Sequence, residues 1–182
     1  RVAASTQADL HSAVVTGLAI LKGPSHGGAA EEVMKMALEI GSEENAETYV
    51  RNLLKAGGRV MGFGHRVYRA VDPRSIHLAD DVKALGERKG QPKWFSILQA
   101  VTKVMEPYSR RGVCQNVDFF SGAIYYLLDI PDDLFISIFA MGRIPGWTAQ
   151  VLEQLSNNIL LRPRLQYVGP MDLKYVPIDQ RG

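Results

Sequence analysis

Apolar residues recur along this chain at intervals of three and four, the period of an α-helix that buries one face. Leu10, Val14, Leu18 and Leu21 form one such stripe, which Lys22-Gly23-Pro24 stops. Val33, Met36, Ala37 and Ile40 form a second ahead of Gly41. Ser42 reads as an N-cap with Glu43 and Glu44 in the first turn, where carboxylates meet the positive end of a helix dipole. Val50, Leu53 and Leu54 then supply the apolar face up to Gly57-Gly58. Leu78, Val82 and Leu85 mark another helix after Pro73. Pro92 suits a helix start, and Phe95, Leu98, Val101, Thr102 and Met105 follow until Pro107. Leu134 to Leu155 reads as a long apolar helix interrupted near Pro145-Gly146. Period-two alternation is almost absent, although Leu165-Gln166-Tyr167-Val168 has an extended look. The expected fold is mainly α, with no internal repeat and no low-complexity segment.

Composition narrows the class. The 182 residues suffice for one ordinary domain or two small units. Hydrophobic residues make up 46% and charged residues 22%, a globular balance. Lys+Arg 21 against Asp+Glu 19 leaves +2, so no strong field for nucleic acid or a membrane surface is expected. No apolar run approaches the roughly 18 residues of a membrane span, and no signal-peptide pattern opens the sequence. The single cysteine, Cys114, cannot form an internal disulfide and fits a reducing compartment, so a cytoplasmic protein is expected. Arg1-Val2-Ala3-Ala4 has no initiating methionine and no capping residue ahead of the first helical spacing. Arg1 is therefore expected to lie inside a longer natural polypeptide.

Chemistry concentrates in three segments. In Gly62-Phe63-Gly64-His65-Arg66-Val67-Tyr68-Arg69-Ala70-Val71-Asp72-Pro73-Arg74, two glycines free the backbone to approach a ligand, and an imidazole follows at once. Pro73 biases Asp72 away from helix, and the resulting bend can bring the Arg74 guanidinium back towards His65. A planar fork that matches a carboxylate, beside a group that moves protons near neutral pH, suits a small carboxylate-bearing substrate with a reactive carbonyl. Gly23-Pro24-Ser25-His26-Gly27-Gly28-Ala29 places His26 at a glycine-rich helix entry, where the dipole keeps the ring neutral. His26 can serve there as a donor to a developing oxyanion or simply as a helix-entry residue. Gln115-Asn116-Val117-Asp118-Phe119-Phe120-Ser121-Gly122 sets Asp118 among apolar and aromatic neighbours. Asp118 reads as a base of raised proton affinity, as the N-cap of a helix over Phe119 to Leu128, or as both.

Those three segments, in their order along the chain, resemble citrate synthase. The resemblance continues through Gly142-Arg143-Ile144-Pro145-Gly146-Trp147 and Leu161-Arg162-Pro163-Arg164, so it spans essentially the whole chain. It implies a citrate synthase-like multi-helical fold in which residues 1–26 and 128–182 belong to a large domain only partly present. Residues 27–127 would be a complete small domain on the coenzyme A side of the cleft. It further implies that Asp118 removes a proton from the methyl group of acetyl-CoA while His26 hydrogen-bonds the thioester oxygen. The carbon so formed attacks the ketone of oxaloacetate, and His65 binds and protonates the new alkoxide. Hydrolysis of citryl-CoA then gives citrate and coenzyme A. Arg74 and Arg143 would bind the substrate carboxylates, and Arg162 would reach into the site of a second subunit of a homodimer. Val60, Met61, Gly62, Phe63, Gly64 and Arg69 would receive the adenine and phosphates of coenzyme A. The coenzyme is a cosubstrate here; no permanently bound cofactor and no metal is implied.

The resemblance also implies a missing part. A further oxaloacetate-binding histidine of the family lies ahead of the first residue of this chain, and the large domain is incomplete. The chain alone is expected to have little or no activity, and the helices of Ala3 to Leu21 and Leu134 to Leu155 to expose apolar faces and associate. Two other readings stand beside this one: a 2-methylcitrate synthase that condenses propionyl-CoA, and a non-catalytic coenzyme A-binding or interaction module. A cysteine-dependent enzyme is disfavoured, since nothing around Cys114 would activate its thiol. The Gly62-Phe63-Gly64 run is no dinucleotide fingerprint, because Val67 stands where a third glycine belongs. His11 and His77 read as solvent-facing, Trp94 and Phe95 as core, and Trp147 as packing at a bend or subunit contact.

Overall fold

The apolar stripes become eight α-helices in the computed structural model, of which residues 1–23 and 27–181 are described. The span expected as one helix from Ala3 to Leu21 is two, α1 (Val2–Ser5) and α2 (Leu10–Leu21). Gln7 takes a left-handed φ of 64° between them, and Asp9 restarts the helix by accepting from the Ser12 backbone N–H at 2.9 Å. α3 (Ala29–Ile40) buries Val33, Met36, Ala37 and Ile40 as their spacing requires, and stops at Gly41. Ser42 heads a short 3-10 turn, Glu43–Asn45, before α4 (Ala46–Lys55). α5 (Pro73–Arg88) has proline in its first turn, where the missing N–H costs nothing.

Two expected breaks do not occur. α6 (Lys93–Ser109) runs through Pro107. Only one turn is affected, and the Ser109 hydroxyl donates to the Glu106 carbonyl at 2.7 Å to hold it. α7 (Asp118–Leu127) is followed by α8 (Phe135–Ser156), which passes through Pro145 without interruption. Met141 and Pro145 lie on the exposed side of α8, so the carbonyl that loses its donor there can be hydrated. The extended look of residues 165–168 yields no strand. Among the described residues the only β-pairing is an isolated antiparallel bridge between Phe63 and Gln115.

The core gathers α3 to α7. Ile97, Leu98 and Val101 of α6 and Phe119, Phe120 and Leu127 of α7 are fully or almost fully buried, each worth about 1.5–3 kcal/mol of transfer free energy. α3 lies so close to α7 that a Cβ at Gly122 would stand 2.3 Å from the Ala30 carbonyl oxygen. Trp94 is buried and Phe95 half-buried, as expected, and His11 and His77 face solvent. Phe135 carries the start of α8 into the same core. α2 instead packs on α8, with the Trp147 ring over Gly17. That tryptophan sits at a helix crossing, not at a bend. Cys114 is buried, its Sγ 3.9 Å from the Ser109 carbonyl oxygen. Among the described residues no helix is long and apolar enough to cross a membrane.

Candidate active site

The segment between α4 and α5 is not helical, and its backbone must find partners elsewhere. It finds them on residues 114–116. The Gly64 N–H donates to the Cys114 carbonyl at 2.7 Å, the Asn116 N–H to Gly62 at 2.9 Å, and the Asp72 N–H to Gln115 at 3.0 Å. Residues 62–64 and Asp72 thus flank one short stretch, which Gln115 anchors to α6 by donating Nε2–H to Thr102 Oγ1 at 2.8 Å. Gly62 and Gly64 hold φ of 79° and 85°, the left-handed region that favours glycine.

Asn116 joins the two chemical segments. Its Nδ2 donates to the Gly64 carbonyl at 2.9 Å, and its Oδ1 accepts from the Asp118 backbone N–H at 3.0 Å. Of the two expected roles of Asp118, base and N-cap, the second is not taken up: Asp118 is the first residue of α7, and Asn116 supplies the acceptor that a cap side chain would. Asp118 itself stands in the first turn, at the positive end of the helix. Its negative charge, second to burial, pushes the Tyr125 hydroxyl up.

His65 is oriented by the backbone that follows it. Nδ1 accepts from the Val67 and Tyr68 N–H groups, both at 3.1 Å, so the neutral ring carries its proton on Nε2. Tyr68 stacks on the ring with centroids 4.6 Å apart. Arg74 is fixed by the buried Asp72, which brackets Nε at 3.0 Å and Nη2 at 2.6 Å. The Arg74 side-chain hydrogen bond holds the Asp72 carboxyl below the usual carboxylate range. Arg143, on α8, lies with Cζ 4.5 Å from the centre of the Phe139 ring.

These groups line a single cleft of ≈ 500 Å³. His65, Arg74, Asp118 and Arg143 all face it, and Val60, Met61, Gly62, Phe63 and Gly64 form one wall. The bend at Asp72-Pro73 does bring Arg74 to the same space as His65. Arg69 is not part of the lining; it is exposed and packs across Gly112. Arg162 lies in the exposed segment after α8 and is not among the residues that line the cleft. His26 falls outside the described residues. Sequence reasoning missed Arg59, Arg66 and Phe139, which also line the cleft. Phe139 stands one helical turn before Arg143, a spacing that could have flagged it. Four arginines, set against Asp118 and the Asp72 paired with Arg74, leave the cleft net positive, which suits an anionic ligand. Among the described residues no group of three or more His, Cys, Asp or Glu could hold a metal ion.

Residues 1–164 match the family model described as citrate synthase, C-terminal domain. The chain belongs to the citrate synthase family. It is 45% identical over 182 residues to citrate synthase 2 of Bacillus subtilis (strain 168), covering 100% of this chain and 48% of that one. It is 40% identical over 181 residues to 2-methylcitrate synthase 1 of Corynebacterium glutamicum, covering 100% of this chain and 47% of that one. The citrate synthase of Thermoplasma acidophilum, solved in a ternary complex with carboxymethyl coenzyme A and oxaloacetate, superposes with a TM-score of 0.90 at 36% identity. That match covers 99% of this chain and 49% of the other. The all-helical architecture is thus that of solved citrate synthases, and the chain spans about half the length of the relatives it matches.

Proposed function

We propose that this chain carries one face of the condensing centre of a citrate synthase, which joins acetyl-CoA to oxaloacetate and hydrolyses the product to citrate and coenzyme A. The observation that carries the reading is the convergence of His65, Asp118, Arg74 and Arg143 on one cleft in a member of this family. A thioester methyl group is too weak an acid for a lone carboxylate in water, so base and oxyanion donor must act on it together. Asp118 is the base, and His26 is the donor to the thioester oxygen. The carbon nucleophile attacks the oxaloacetate ketone, and the oxygen that becomes an alkoxide takes its proton from His65 Nε2–H. Arg74 and Arg143 match the two substrate carboxylates. The wall from Val60 to Gly64, with Arg69, receives the adenine and phosphates of coenzyme A.

Water would quench the carbanion, so the site has to close before reaction. In this reading residues 27–127 are the small domain that closes, and residues 1–26 and 128–182 belong to the large one. The working unit is a cytoplasmic homodimer in which Arg162 reaches the neighbouring site. The test is a thiol-release assay with both substrates on the complete natural polypeptide that carries these residues. Robust turnover that falls about 10²-fold or more on Asp118→Asn or His65→Ala is expected. Absence of turnover overturns the reading.

The identity shared with a 2-methylcitrate synthase supports a second one, in which propionyl-CoA is the acyl donor. One extra methylene in an apolar pocket is worth about 1–3 kcal/mol of discrimination. Side-by-side kcat/KM values for the two thioesters separate the readings, and the larger value names the enzyme.

A further inference from the structure

Beneath the cleft lies a carboxylate that no step above uses. Asp72 has 0% of its surface exposed, and a carboxylate withdrawn from water is costly unless it is fully hydrogen-bonded. Arg74 supplies three of its bonds. Oδ1 accepts from the Arg74 backbone N–H and from Nε, both at 3.0 Å, and Oδ2 accepts from Nη2 at 2.6 Å. Nε and Nη2 form one edge of the planar guanidinium, and Asp72 fills that edge. A guanidinium has five donors in a fixed fork, so the edge made by Nη1 and the second hydrogen of Nη2 is left for a ligand. The Arg74 side chain is 48% exposed and lines the cleft, whereas the Asp72 side chain is 1% exposed and sits behind it.

We infer that Asp72 is a positioning residue: its buried carboxylate clamps one edge of Arg74 so that the other is already aimed at a substrate carboxylate. The inference rests on the assignment of Arg74 to oxaloacetate made above. A long side chain with several free torsions loses rotamer freedom when it binds, and a preset clamp removes most of that loss from the binding step. It also prevents Arg74 from swinging out to solvent, as an unbraced surface arginine would.

Asp72 has a second role that must be separated from the first. It is the N-cap of α5 through the Arg74 backbone N–H. Asparagine caps a helix as well as aspartate does, so Asp72→Asn keeps the cap. Its amide, however, offers no negative charge to the fork and sets an N–H₂ against one of the two guanidinium donors.

Steady-state kinetics on the complete natural polypeptide compare the parent, Asp72→Asn, Arg74→Ala and the double variant. The expected result is a KM for oxaloacetate raised about tenfold by Asp72→Asn, with the acetyl-CoA KM within about twofold. In the Arg74→Ala background the same change should move the oxaloacetate KM by less than about twofold, because nothing remains to be positioned. An unmoved oxaloacetate KM overturns the inference, and so does an equal rise in both backgrounds, which marks a structural role. If Asp72→Asn fails to fold, Asp72→Ser, which caps but cannot bracket the fork, is read by the same criteria. A parent without turnover overturns the proposed function and this inference together; a parent that turns over with a null cycle overturns only this one.

Discussion

Phe119 lies directly under Gly62. A Cβ built on Gly62 would stand 2.7 Å from Phe119 Cδ2 and 2.9 Å from its Cα, at a backbone φ of 79°. The glycine is thus required twice, by the torsion and by the space. Because Gly62 belongs to the wall of the cleft and Phe119 follows Asp118 on α7, this contact sets how closely the loop carrying His65 approaches the carboxylate. Gly62→Ala is expected to destabilise by about 2–4 kcal/mol and to lower activity in whatever protein survives. Chemical denaturation measures the first effect; an alanine variant as stable as the parent would show that the loop can lift off α7 freely.

Asn116 is the hydrogen-bonded link across the same gap. It donates to Gly64 and accepts from Asp118 N–H, so Asn116→Ala leaves a carbonyl and an amide without partners and loosens His65 relative to Asp118. Misplacement on the order of 1 Å costs up to about 10²-fold in rate, and a fall in kcat of about 10–100-fold is expected. Single-turnover kinetics on the complete natural polypeptide check it. A kcat within a factor of two of the parent would mean that the backbone bonds between residues 62–64 and 114–116 suffice.

Acid should reach Asp72 late. Its folded proton affinity is depressed from the ordinary 3.8, first by the Arg74 side-chain hydrogen bond, with burial opposing. A carboxyl depressed on folding contributes stability that is complete above its unfolded value and is lost as pH falls through the lower folded one. The expected window therefore lies below about pH 4. Denaturation midpoints between pH 2 and 6 should fall more steeply for the parent than for Asp72→Asn, which has no such proton to take up. Parallel curves would show that the pair contributes nothing.

Apolar surface on α2 and α8 predicts association. Val15 and Ile20 are 61% and 71% exposed, and Met141 and Leu152 are 65% and 61% exposed. Exposed residues of this size on two helices that pack on each other form the kind of patch that proteins cover. Residues 1–182 in isolation should scatter light above the monomer mass at high concentration, and Ile20→Lys with Leu152→Lys should reduce it. A clean monomer at all concentrations would refute this.

Much of the helix map could be read from apolar spacing, because burial of one face is what selects a helix here. Pro107 and Pro145 were misjudged for the complementary reason. A proline breaks a helix only where its lost bond and its ring cannot be accommodated, and a helix end or a solvated face accommodates both. The four-residue α1 was invisible as a separate element, since Gln7 carries no turn signature yet takes a left-handed φ. The site was legible as three motifs but not as a place. Nothing in the spacing of His65 and Asp118 shows that Asn116 ties them together; only tertiary hydrogen bonds do. Arg59 and Phe139 escaped notice because a surface cation and a helical aromatic look like ordinary exterior and core. Asp72 was read as the start of a bend, and its ion pair with Arg74 depends on a depth of burial that periodicity does not report.

The solitary sulfhydryl at position 114 has a practical corollary. A chromogenic disulfide reagent used for the proposed thiol-release assay would also titrate an accessible protein thiol. With its sulfur largely buried near the end of α6, Cys114 in residues 1–182 should react slowly with that reagent, and the colour that develops will clock the opening of the very segment on which His65 and Asp118 are hung.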